Sequence, residues 1–146
     1  MEEFDIIDTA IPTLGPSKIP SPVKPPFDNS RCNSFVADTD RVALDVDIDK
    51  TKQLIEAGID PPAFELAGPR EKIYFDPSKL KCAMVTCGGL CPGLNDIIRS
   101  IVLQLYYGYG VRNIFGIRYG LQGFIPKYGH DVIALNPEVV ANILET

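Results

Sequence analysis

No stretch of this 146-residue chain is apolar for long enough to cross a membrane. The first residues, Met1-Glu2-Glu3-Phe4-Asp5, are acidic and do not resemble a secretory signal or a mitochondrial transit peptide. A cytoplasmic location, away from membranes, is therefore expected. Lys and Arg nowhere cluster, so no nucleic-acid partner is expected. The one histidine, His130, stands beside Asp131, and no Ser or Cys arrangement suggests a catalytic triad. It reads as a loop residue. The four cysteines at 32, 82, 87 and 91 do not read as an extracellular disulfide framework, because Cys82 and Cys87 sit in an apolar strand pattern. Cys82, Cys87, Cys91 and His130 fit no common zinc spacing, so no metal site is expected. No segment repeats at a fixed period.

The prolines and the acids are unevenly spread. Pro12, Pro16, Pro20, Pro22, Pro25 and Pro26 fall in the first thirty residues, whose apolar positions follow no sustained period. Residues 1–38 read as an extended, mobile arm rather than core. Roughly a hundred residues remain to fold, enough for a small core. Residues 1–60 hold twelve acids and six bases, residues 61–146 seven acids and eight bases. The near-neutral second part can admit an anionic small molecule without strong steering.

Residues 39–80 read as an extension with one short helix and short strands. Arg41 to Asp47 alternates towards its end as a strand does. Thr51 to Ala57 reads as a helix closed by Gly58. Phe64 to Arg70 reads as loop, Ile73 to Phe75 as a strand, and Asp76-Pro77-Ser78 as a turn. Beyond Lys81 the pattern changes. Residues 82–87 form a continuous apolar run, as in a strand covered on both faces. Pro92 suits the first turn of a helix. Leu94, Ile97, Ile98, Ile101, Val102 and Leu105 recur at helical spacing and predict one buried face. Gly108 and Gly110 end that helix. Strands follow at 112–117 and 131–135, separated by a glycine-punctuated loop. Asn136-Pro137-Glu138 predicts a capped helix running on to the last residue. Strand, helix, strand at this spacing implies α/β architecture: a partial parallel sheet with flanking helices and a right-handed crossover. Ligands of such sheets bind at the carboxyl ends of the strands.

Both glycine-rich turns, at 88–93 and 116–123, fall at those ends. The first carries Gly88-Gly89 directly after a strand and Pro92-Gly93 directly before a helix. Glycine lets backbone N–H groups approach an anion, and a helix N-terminus leaves such groups unbonded. The competing reading is a tight turn that only joins strand to helix. The turn is not a P-loop, since Gly-Lys-Ser/Thr is absent. It is not a dinucleotide fingerprint either, since no third glycine falls at the required offset. Arg118 and Tyr119 follow the second strand, where a guanidinium could hold phosphate or stack on a base. Arg99, with Asp96 and Ser100 on the polar side of the helix, reads as a solvated charge.

The run from Lys81 to Ser100, with Thr86-Cys87-Gly88-Gly89-Leu90-Cys91-Pro92-Gly93-Leu94-Asn95 at its centre, resembles the N-terminal glycine loop of the phosphofructokinases. It is most similar to the ATP-dependent branch found in plants, trypanosomatids and some bacteria. Gly68-Pro69-Arg70-Glu71-Lys72-Ile73-Tyr74-Phe75 resembles the segment that precedes that loop. Gly116-Ile117-Arg118-Tyr119-Gly120-Leu121-Gln122-Gly123-Phe124 resembles the second glycine loop. The resemblance covers residue 60 onward. It implies a Rossmann-like part of the phosphofructokinase fold, with residues 81–146 as an incomplete nucleotide-binding domain. It also implies that Gly88, Gly89, Pro92 and Gly93 lie against the nucleotide phosphates, and that Arg118 and Tyr119 line the nucleotide pocket. Arg99 matches a helix arginine that serves an effector site in bacterial relatives, whose second arginine is replaced here by Leu103. Leu121 stands where the family often has an aromatic residue.

The implied activity is ATP-dependent 6-phosphofructokinase, phosphorylating fructose 6-phosphate with ATP and Mg2+ in glycolysis, by an enzyme that is a homo-oligomer when complete. The family's Gly-Gly-Asp-Gly magnesium loop and Thr-Ile-Asp-Asn-Asp catalytic segment do not occur in this sequence. No catalytic or metal-binding residue is therefore assigned. The chain is expected to be a fragment, a truncated frame or one piece of a split gene, inactive alone. A pyrophosphate-dependent enzyme and a non-catalytic nucleotide-binding or regulatory subunit remain as alternatives.

Overall fold

A computed structural model describes residues 7–24, 35–89 and 91–145. Cys32 and Leu90 lie outside the described residues. The chain divides into two compact units, one reaching to Tyr74 and the other starting at Phe75, with Ser21–Val23 belonging to the second.

The first unit is built from short antiparallel pairs. Strand β1 (Ile19–Pro20) pairs with β4 (Lys72–Ile73), and β2 (Arg41–Ala43) pairs with β3 (Ala63–Glu65). In the described part of the Pro-rich segment β1 has a partner, and the Thr9 hydroxyl donates to Ala63 O at 2.8 Å. Phe64 and Glu65, expected in a loop, are in a strand because Arg41–Ala43 supplies a partner that local sequence does not reveal. Helix α1 (Ile48–Glu56) starts three residues before the expected position. Asp47 caps it, its carboxylate accepting from Asp49 N and Lys50 N, and Gly58 at φ +73° ends it.

The second unit holds a three-stranded sheet of order β5–β6–β7. Strand β5 (Lys81–Val85) is followed by helix α2 (Leu94–Leu103), which loosens into a π-turn at Gln104–Gly108 before β6 (Asn113–Ile117). Strands β5 and β6 are parallel, with Lys81 opposite Asn113 and Val85 opposite Ile117. Strand β7 (Val132–Ala134) runs antiparallel to β6, so the sheet is partly parallel, in keeping with the expected partial parallel sheet. The reason lies in the link. Gly120, Gly123, Pro126 and Gly129 break it into 3-10 turns at Gly120–Phe124 and Pro126–Tyr128. No crossover helix forms to carry the chain back to the starting edge, so the return is antiparallel.

The core is small: Val102, Val111, Ile114 and Val140 are fully buried, with Cys82, Met84, Leu105, Leu135 and Ile143 packed around them. Burial alternates along β5, with Cys82 and Met84 inward and Ala83 and Val85 outward. The apolar run is therefore covered on one face among the described residues, not on two. Ile114 is 1% exposed, while Val85 and Ile133 remain open. The helix stripe splits likewise. Val102 is fully buried and Leu94, Ile98 and Leu105 are half-buried, whereas Ile97 is 56% exposed and Ile101 40%. Ile97 and Ile101 lie about 100° around the helix from Ile98 and Val102, beyond the reach of a sheet on one side.

The expected helix after Asn136 is absent. Asn136 Oδ1 does accept from Val139 N at 2.9 Å, as a cap should. The chain then makes only single turns and a 3-10 segment at Ile143–Glu145. Val140 is drawn fully into the core, and Asn95 Nδ2 donates to Ile143 O at 2.8 Å. These tertiary contacts replace the helical ladder.

Candidate functional site

The apolar strand β5 ends at Val85, and the backbone that follows belongs to neither strand nor helix. Gly88 has φ +115° and Gly93 φ +80°, values that side-chain-bearing residues rarely adopt. Gly93 is the N-cap of α2, and no side chain caps the helix. Pro92 therefore lies in the turn before the helix rather than in its first turn. A Cβ at Gly88 or Gly89 would meet nothing within 4 Å. Their N–H groups make no hydrogen bond among the described residues. An open cavity of about 830 Å³ lies over this turn, bounded by Thr86, Gly88, Gly89, Gly93, Asp96 and others. Free donors and an uncapped helix N-terminus face it, a combination that suits an anion.

The second loop abuts the first. A Cβ at Gly120 would sit 3.3 Å from Thr86 O and 3.6 Å from Cys87 Sγ. Arg118 and Tyr119 border an adjoining, mostly apolar cavity of about 360 Å³, and Thr86 borders both cavities. The Arg118 guanidinium carbon lies 5.3 Å from the Tyr119 ring centre. Tyr119 is the one non-glycine residue with positive φ among the described residues, at φ 62°. That conformation costs roughly 1–2 kcal/mol for an L-residue. Gly123 is required by packing, since a Cβ there would strike Arg118 O and approach Ile117 Cγ2 at 2.6 Å.

Among the residues singled out from sequence, Gly88, Gly89 and Gly93 share the larger cavity, and Arg118 and Tyr119 share the smaller. Pro92 borders neither. Arg99 is half-buried rather than solvated: its Nε is shielded and has no partner among the described residues. Cys87 and Cys91 are exposed at the larger cavity, which corrects the reading of Cys87 as buried. Cys82 is half-buried, and its burial pushes the thiol pKa up. Sequence reasoning missed Asp96 at the cavity and missed the rings around Tyr119. His130 lies 4.3 Å from the Tyr119 ring centre, and Tyr128 lies 5.9 Å from His130. The only hint was Tyr128 and His130 flanking a glycine. Among the described residues no three His, Cys, Asp or Glu side chains gather in a way that could hold a metal. No helix among the described residues is long and apolar enough to cross a membrane.

Two parallel strands joined through a glycine turn and a helix, with open loops at the strands' carboxyl ends, define an α/β protein; sheets of this kind bind ligands at such loops. Residues 81–146 match the Phosphofructokinase family model. The chain belongs to the phosphofructokinase family and carries an N-terminal portion of it. It is 42% identical to an ATP-dependent 6-phosphofructokinase of Borreliella burgdorferi over 94% of this chain and 30% of that protein. It is 56% identical to the Entamoeba histolytica ATP-dependent 6-phosphofructokinase over 54% of this chain and 18% of that protein. It is 57% identical to the chloroplastic ATP-dependent 6-phosphofructokinase 5 of Arabidopsis thaliana over 53% of this chain and 14% of that protein. The chain thus spans about a third or less of the length of these relatives.

Proposed function

We propose that this chain supplies the nucleotide-phosphate cradle of an ATP-dependent 6-phosphofructokinase. The reaction of the whole enzyme moves the γ-phosphoryl of ATP to the 1-hydroxyl of fructose 6-phosphate in glycolysis. The observation that carries the reading is the pair of unbonded N–H groups at Gly88 and Gly89, open to a cavity at an uncapped helix N-terminus. Gly88, Gly89 and Gly93 take the phosphates there, Pro92 stiffens the turn, and Arg118 and Tyr119 wall the nucleotide in. ATP rather than pyrophosphate is supported as donor by the names of the relatives.

Phosphoryl transfer also needs a carboxylate near the attacking hydroxyl, a metal on the phosphates and cations on the transferred group. In this reading those parts, with Mg2+ and the sugar-phosphate site, lie in sequence beyond what this chain contributes, in a cytoplasmic homo-oligomer. Residues 81–146 form the nucleotide-binding part, residues 39–80 an extension and residues 1–38 an arm. The test is an NMR titration of the 146-residue chain with ATP. The Gly88, Gly89 and Gly93 amides should shift saturably. Unshifted amides at millimolar ATP would overturn the reading.

A further inference from the structure

The strained backbone at Tyr119 sits at one end of a row of three rings. Tyr119 and His130 lie 4.3 Å apart at 36°, and His130 and Tyr128 lie 5.9 Å apart at 11°. Gly129, at φ +59°, turns the chain between Tyr128 and His130. His130 Nε2 is shielded and has no hydrogen-bond partner among the described residues, and the imidazole lies against the two tyrosine rings. Gly120 at φ +57° follows Tyr119 and brings this loop against Thr86, beside the glycine turn. Yet Tyr119 itself is 61% exposed. An aromatic ring packed against a neighbouring ring and left open suits a flat, apolar partner.

We propose that His130 is a positioning residue for the nucleotide. Packed between Tyr128 and Tyr119, it sets Tyr119 as the wall against which the nucleobase lies, while the glycine turn takes the phosphates. This rests on the nucleotide reading above and goes further by separating recognition of the base from recognition of the phosphates. His130 does not touch the reacting atoms. Its effect passes through Tyr119.

The test titrates the 146-residue chain with ATP and, separately, with inorganic tripolyphosphate, following amide shifts and thermal unfolding. The variants are His130→Ala and His130→Phe. The wild-type chain should bind ATP more tightly than tripolyphosphate. His130→Ala should weaken ATP about five- to tenfold, a stacking-sized loss, and leave tripolyphosphate unchanged. His130→Phe, which keeps a ring, should restore ATP. Equal ATP affinity in His130→Ala and wild type would overturn the proposal while leaving the phosphate cradle standing. So would a parallel loss of ATP and tripolyphosphate, which marks a general structural defect. If the wild-type chain binds neither ligand, the cradle reading fails and this proposal falls with it.

Discussion

Replacing Gly89 with aspartate separates the fold from the site. A Cβ at Gly89 would meet nothing within 4 Å, and Gly89 is not in the left-handed region. The substitution should therefore change stability by no more than about 0.5 kcal/mol, as at an ordinary surface position. Binding should respond differently. A carboxylate there would stand about 4 Å from a phosphate oxygen lying on the turn. At an effective dielectric of about 20, two like unit charges at that distance repel by about 4 kcal/mol. That corresponds to roughly a thousandfold loss of affinity. Gly89→Ala, which adds bulk without charge, should lose less. The assay pairs amide shifts under ATP with thermal unfolding of the same samples. Gly89→Asp binding ATP as the wild type does would refute the reasoning and leave the turn as a connector. A large fall in melting temperature would refute the claim of open space.

Gly123→Ala should behave in the opposite way, costing about 1–3 kcal/mol by overpacking against Arg118 O and Ile117, read as a lower unfolding midpoint. In alkylation of the native chain, Cys87 and Cys91 should label faster than Cys82, which is half-buried with a raised thiol pKa. ATP should slow labelling of the first two, and equal rates would contradict the assigned burial. Asp76 accepts from the Ser78 hydroxyl at 2.7 Å and from Ser78 N, and these bonds hold its carboxyl below the ordinary 3.8. Because the folded pKa is depressed, its stabilising effect is present above about pH 3.8 and is lost as pH falls through the folded value. The stability gap between wild type and Asp76→Asn should close in acid, and a gap constant down to pH 2 would exclude this role. With Val85, Ile97, Ile101, Val132 and Ile133 exposed, the chain alone should be marginally stable and self-associate. A sharp, reversible, concentration-independent transition of a monomer would contradict that.

Sequence by itself determined the elements whose causes are local. Gly88 to Gly93 could only be a turn between strand and helix, because the apolar run stops there and Leu94 opens a 3.6-residue period. The parallel pairing of β5 and β6 followed from the length of chain and the helix between them. Gly58 ended α1 for reasons of its own backbone. Tertiary structure decided whatever depends on which residues meet. The period of α2 marked six apolar positions, but one sheet on one side could bury only part of them, leaving Ile97 and Ile101 outside. Asn136 made its cap, yet burial of Val140 outweighed continuation of a helix. The direction of β7 followed from a link that builds no crossover helix, and the pairing of Phe64 depended on a strand more than twenty residues earlier. At the site, the glycines were legible because their conformational freedom is a property of each residue alone. The stack of Tyr119, His130 and Tyr128 was not, because ring contacts across a folded loop leave no period in the sequence.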